Sequence, residues 1–114
     1  MIDILAERRF PLETDCFSYM IRRDLYDGYI LTIIYDRPCI NKKVWSNHKI
    51  TDISIRRSVE YIGIKVLLDN IIESMFYNIK ETLERDLSLI LNESGREILN
   101  IKQAIKEDLL KILK

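Results

Sequence analysis

Proline occurs twice in the 114 residues and glycine three times, and neither is spread evenly. Pro11 and Pro38 both fall in the first third of the chain, so residues 51–114 hold no proline and only Gly63 and Gly95. A stretch so poor in breakers leaves long helices free to run. The scarcity of glycine also excludes a glycine-rich phosphate-binding loop. Cysteine is equally sparse: Cys16 and Cys39 lie 23 residues apart and form no CxxC. The only histidine is His48, so a zinc site would need two further ligands from elsewhere. Both cysteines are expected to be buried free thiols. Neither sign of charge is in excess, with 18 Lys+Arg against 18 Asp+Glu, so no whole-molecule field draws the chain to nucleic acid or to an anionic membrane. No uncharged apolar run approaches the roughly 18 residues of a membrane span, and Asp3, Glu7, Arg8 and Arg9 interrupt the N-terminal stretch where a signal peptide would be apolar. The expectation is a soluble, cytoplasmic protein with no membrane partner.

What is present is enough apolar surface for a core. Hydrophobic residues make up 47% of the chain and charged residues 32%, the balance of a folded globular protein rather than a disordered one. The length suits one domain with one core. Ile4, Ala6, Arg8 and Phe10 alternate as a strand does, ending at Pro11, although Ile2, Leu5 and Arg9 also fit a helix. From Phe17 to Asp36 the pattern predicts a β-hairpin, with Asp27-Gly28 as the two positive-φ positions of a tight turn. The competing reading is a helix over 13–26, capped by Gly28. Tyr29 to Tyr35 is apolar on both faces, as for a strand covered on both sides, and the helices are the natural cover. Residues 37–50 read as a loop.

Beyond that loop, Thr51 or Asp52 can cap a helix. Ile55, Val59, Ile62 and Val66 step at fours and threes, and Leu68, Ile72, Met75, Ile79, Leu83, Leu87 and Ile90 continue the pattern. A strand or hairpin over 53–66, with Gly63 at a turn or bulge, is the alternative. Asn92 can end one helix, and Ser94 with Glu97 forms a capping box for the next. Ile98, Ile101, Ile105, Leu109 and Ile112 then form an inward stripe, with Lys102, Lys106 and Lys111 toward water. The fold class that follows is α+β in a single domain, residues 1–114. An N-terminal antiparallel β-hairpin or small sheet, with a basic loop at 37–50, packs against a C-terminal antiparallel two-helix hairpin in 51–114.

Chemistry-bearing motifs are few. Tyr61 and Lys65 have the YxxxK spacing of short-chain dehydrogenases, but the chain is far too short for a dinucleotide fold and lacks its glycine-rich loop. Asp24, Asp27 and Asp36 lack the dense oxygen spacing of a calcium loop, and aspartates at turns usually bond their own backbone. No hydrolase, kinase or ATPase signature is present. No cofactor, metal or catalytic residue is therefore assigned, and the reading leans away from an enzyme.

Two binding readings remain. Leu67, Leu68, Ile71, Ile72, Met75, Phe76 and Ile79 cover more of a helix than one antiparallel neighbour can bury. With Trp45, they are the expected interface for another protein or a second copy, which suits an accessory or regulatory subunit. In the alternative, Arg37, Lys42, Lys43 and Lys49 surround Trp45 with no acid among residues 37–50. Cations that contact phosphates beside an indole that stacks on a base suit a single-stranded nucleic acid.

Overall fold

Alternation of apolar and polar side chains organises the N-terminal half into a sheet, and the computed structural model describes it together with the helices over residues 3–12, 14–61, 63–85 and 95–113. Strands β1 (Asp3–Pro11), β2 (Cys16–Arg23), β3 (Tyr29–Arg37) and β4 (Lys42–Ile50) form an antiparallel meander in the order β1-β2-β3-β4. Three helices follow: α1 (Asp52–Tyr61), α2 (Ile64–Arg85) and α3 (Gly95–Ile112). The architecture is α+β.

Register decides which side chains meet the helices. Phe17 pairs with Tyr35, Tyr19 with Ile33 and Ile21 with Leu31, and all of them are buried on one face of the sheet. Helix α2 lies over β3 and β4, and α3 over β1 and β2. The N-terminal strand ends at Pro11 as its alternation predicts. Its register shifts between Ile4 and Ala6, so Ile4 pairs with Arg22 while Ala6, Arg8 and Phe10 pair with Ile21, Tyr19 and Phe17, and the expected alternation holds only from Ala6 onward.

The Phe17–Asp36 hairpin forms, but its turn is wider than Asp27-Gly28 alone implies. Residues 24–28 connect the strands, closed by the Asp24 N–H donating to the Gly28 carbonyl at 3.0 Å. Gly28 takes a positive φ of 76°, whereas Asp27 does not. The Asp27 carboxylate instead accepts the Asp52 N–H at 3.1 Å, so it caps the start of α1. Glycine is required here for space as well as for φ: a Cβ would stand 1.9 Å from the Ile50 carbonyl oxygen.

Residues 37–50 are not a loop. Pro38–Ile40 form one 3-10 turn, Asn41 turns the chain at a φ of 54°, and β4 then pairs with β3 along its length. Residues 53–61 and 64–66 are helical rather than extended. Thr51 caps α1 by accepting the Ser54 N–H at 3.1 Å, and Gly63, at a φ of 79°, divides α1 from α2. Tyr61 and Lys65 therefore lie on different helices and not one turn apart on the same one.

The wide apolar stripe of α2 is consumed within the chain. Leu68, Ile71, Ile72, Met75, Phe76 and Ile79 are buried, and Leu67 packs half-buried against the same core. One flank of the stripe meets the sheet and the other meets Ile98, Ile101, Ala104, Ile105 and Leu109 of α3. This corrects the expectation that these residues form a protein interface: a helix wedged between a sheet and a second helix needs a wider apolar arc than one paired with a single neighbour. Lys102 and Lys106 do not simply face water. They reach across to Glu73 at 3.1 Å and Asp69 at 2.9 Å, which sets the antiparallel pairing of α2 and α3. Asn92, Ser94 and their capping box lie outside the described residues.

Two substitutions separate space from backbone conformation. Gly28→Ala should lower stability by more than about 1 kcal/mol, from φ strain and the clash with Ile50 together. Gly63→Ala meets nothing within 4 Å and should cost less, a difference read as the gap between their urea midpoints. Met75→Ala should cost about 2–5 kcal/mol by leaving a cavity, and Met75→Asp should prevent folding altogether, which circular dichroism reports.

Candidate functional site

Because side chains alternate along each strand, everything that does not face the helices stands on the opposite face of the sheet. That second face carries Ser18, Met20 and Arg22 from β2, Ile30, Thr32 and Ile34 from β3, and Lys43, Trp45, Asn47 and Lys49 from β4. No described helix covers it. Trp45 pairs with Ile34 midway along the edge strand β4 and is 56% exposed, an unusual position for the chain's single indole. Ile34 opposite it, with Met20 and Ile30 farther across the face around Thr32, are half-buried and form an apolar strip over three strands.

Polar groups tie the strip together and frame it. The Thr32 hydroxyl donates to Asn47 Oδ1 at 2.6 Å, which satisfies a buried hydroxyl within the face. Lys43 Nζ lies 5.8 Å from the Trp45 ring centroid, within cation–π range. Lys49 pairs with Asp24 at 2.8 Å; that bond lowers the carboxyl pKa of Asp24 and raises the ammonium pKa of Lys49. Arg22 Nε is buried and finds no hydrogen-bond partner among the described residues. A buried donor left without a partner is a local cost to the fold, and because it is closed to solvent it offers nothing to a molecule arriving at the face.

The basic cluster expected around Trp45 is split by the pleat. Lys43 and Lys49 share its face, while Arg37 and Lys42, paired with each other across β3 and β4, have the parity of Tyr35 and belong to the helix side at the sheet's end. Met20, Ile30 and Ile34 carry no site signal in the sequence, whereas Arg22 belongs to the basic pair Arg22-Arg23, of which a strand can give only one arginine to a surface. The signal was there in the two apolar faces of β3, but the helices cover only one of them. Cys16 is buried as expected, with Sγ accepting from Arg9 Nε at 3.1 Å, whereas Cys39 sits exposed in the 3-10 turn.

Asp24 and Asp27 are engaged with Lys49 and the α1 N-terminus, and Asp36 stands opposite Lys43 on the Trp45 face. Among the described residues no cluster of three or more His, Cys, Asp or Glu is placed to hold a metal ion. Among them, too, no helix is long and apolar enough to cross a membrane. The largest perturbations belong to two core phenols. Tyr19 donates to Asp108 of α3, and Tyr35 donates to Asp15 at 2.6 Å; burial first, then the carboxylate partner, pushes both pKa values well up. These bonds fasten the sheet to α3 and to the β1–β2 connection. No protein-family model matches the sequence, and no curated protein and no solved structure matches it significantly.

The two phenols make a pH prediction. The folded protein keeps them protonated to higher pH than the unfolded chain does, so their contribution is whole below the ordinary tyrosine pKa of 10.0 and is lost as pH rises toward the folded values. Stability should therefore fall above about pH 10. In ultraviolet titration, Tyr19 and Tyr35 should ionise only after the exposed tyrosines. Tyr19→Phe should remove part of the alkaline loss and cost about 1.5–3 kcal/mol near neutrality, the range for a hydrogen bond to a charged group.

Proposed function

We propose that the chain is a non-enzymatic protein-interaction module, an accessory or regulatory subunit that docks another protein on the uncovered face of its sheet with Trp45 as the anchor. One observation carries this reading: the half-exposed Trp45 lies in an apolar strip with Met20, Ile30 and Ile34 on a face that no described helix covers. Interface centres are enriched in Trp, Met and Arg and take their energy from a few large anchors. The partner that fits is a flat apolar surface that brings carbonyl or carboxylate acceptors to the exposed Lys43.

A second reading, binding of single-stranded nucleic acid, draws support from Lys43 above the indole and Lys49 on the same face. A base stacked on Trp45 with its phosphates near these lysines is the geometry such proteins use. Against it stand the neutral overall charge and the commitment of Lys49 to Asp24.

Trp45→Ala removes a largely exposed side chain and should shift stability by no more than about 0.5 kcal/mol. It should nevertheless abolish co-purification of a partner captured by the wild-type chain, as should Ile34→Glu. Fluorescence of the single tryptophan should be unmoved by oligonucleotides at low salt. Quenching that disappears as salt is raised would transfer the face to the nucleic-acid reading.

A further inference from the structure

The β2–β3 connection exposes two large apolar side chains in succession, Leu25 at 83% and Tyr26 at 91%. The loop that carries them is held on every side. Its ends are joined by the Asp24 to Gly28 backbone bond, Asp24 is paired with Lys49, Asp27 caps α1, and Gly28 lies against the β4 backbone too closely to admit a Cβ. A tip so fastened has little freedom to lose on docking, and ordering costs are what commonly erode the affinity of loop contacts.

At the other end of the sheet, Arg9, Phe10, Pro11 and Leu12 face Glu97, Asn100 and Ile101 of α3 across an open cavity of about 240 Å³. Small-molecule sites usually span about 300–1,000 Å³, so this one is scaled to one or two side chains. The tip cannot enter its own cavity. The eight residues of β2 separate the two, at about 3.3 Å each, by roughly 25 Å.

We propose that the chain assembles head to tail, with the Leu25–Tyr26 tip of one copy seated in the cavity between β1 and α3 of the next. The chemistries match group by group. Leu25 and the Tyr26 ring meet Phe10, Pro11, Leu12 and Ile101; Asp27, which brackets the tip, approaches Arg9; the Tyr26 hydroxyl reaches Glu97 or Asn100. Tip and cavity are different surfaces, so the contact is heterologous and each copy presents a free tip at one end and a free cavity at the other. This assembly is independent of the Trp45 face, and Trp45→Ala should leave it intact.

Sedimentation velocity of the full chain tests it. The wild type should show a sedimentation coefficient that rises from low micromolar to sub-millimolar concentration. The tip variant Leu25→Asp with Tyr26→Ser alters only exposed residues, and Asn100→Trp fills the cavity from an exposed helix position. Each alone should be folded and monomeric. Mixed in equal amounts they should form a dimer and nothing larger, since one intact tip and one intact cavity remain between them. A wild type that stays monomeric, either variant still assembling alone, or a mixture of folded variants that stays monomeric overturns the proposal.

Discussion

Two helices are enough to cover one face of a four-stranded sheet, and not two. Strands about 4.8 Å apart make a sheet roughly 15–19 Å wide, and two helices set about 10 Å apart span nearly the same width. Here α2 covers β3 and β4 while α3 covers β1 and β2. Once Phe17, Tyr19, Ile21, Leu31, Ile33 and Tyr35 have claimed that cover, neither α2 nor α3 is left for the reverse face, and α1 packs on α2, so no helix among the described residues covers it.

The helix side shows how fully the cover is used. A stripe on α2 that is too wide for one neighbour is matched by two, and Lys102 and Lys106 lie over the seam with their charges on Glu73 and Asp69. Exposed pairs of this kind contribute little energy individually, so their role is to fix the register of α3 against α2. The Tyr19 and Tyr35 hydroxyls, each on a carboxylate, let aromatic bodies fill the core without stranding a polar atom. The reverse face has no such completion. Its half-buried Met20, Ile30 and Ile34 and its exposed Trp45 are left without a covering layer among the described residues.

Much of this was legible in the residues. The described part of the breaker-poor half is chiefly helical, the inward stripe of the last helix is buried at Ile98, Ile101, Ile105 and Leu109, and the hairpin and first strand lie in the segments where alternation puts them. The failures have local causes. Lys42, Lys43, Asn47 and Lys49 made β4 look like a loop, because an edge strand carries charges that guard it against pairing with another chain, and those charges hide its alternation. Asp27-Gly28 resembled a two-residue turn because the tie between Asp27 and Asp52 spans 25 residues and leaves no local mark.

The candidate site divides along the same line. That β3 is apolar on both faces, that α2 carries an excess of apolar width, and that Trp45 stands among cations all follow from residue order, since periods of two and 3.6 are properties of the chain alone. Which apolar surface is buried and which is left open is settled by layering, because burial depends on how many elements compete for the same cover. Tertiary packing gave the cover to α2 and to one side of β3, and so moved the open surface from Leu67–Ile79 to the strip around Trp45.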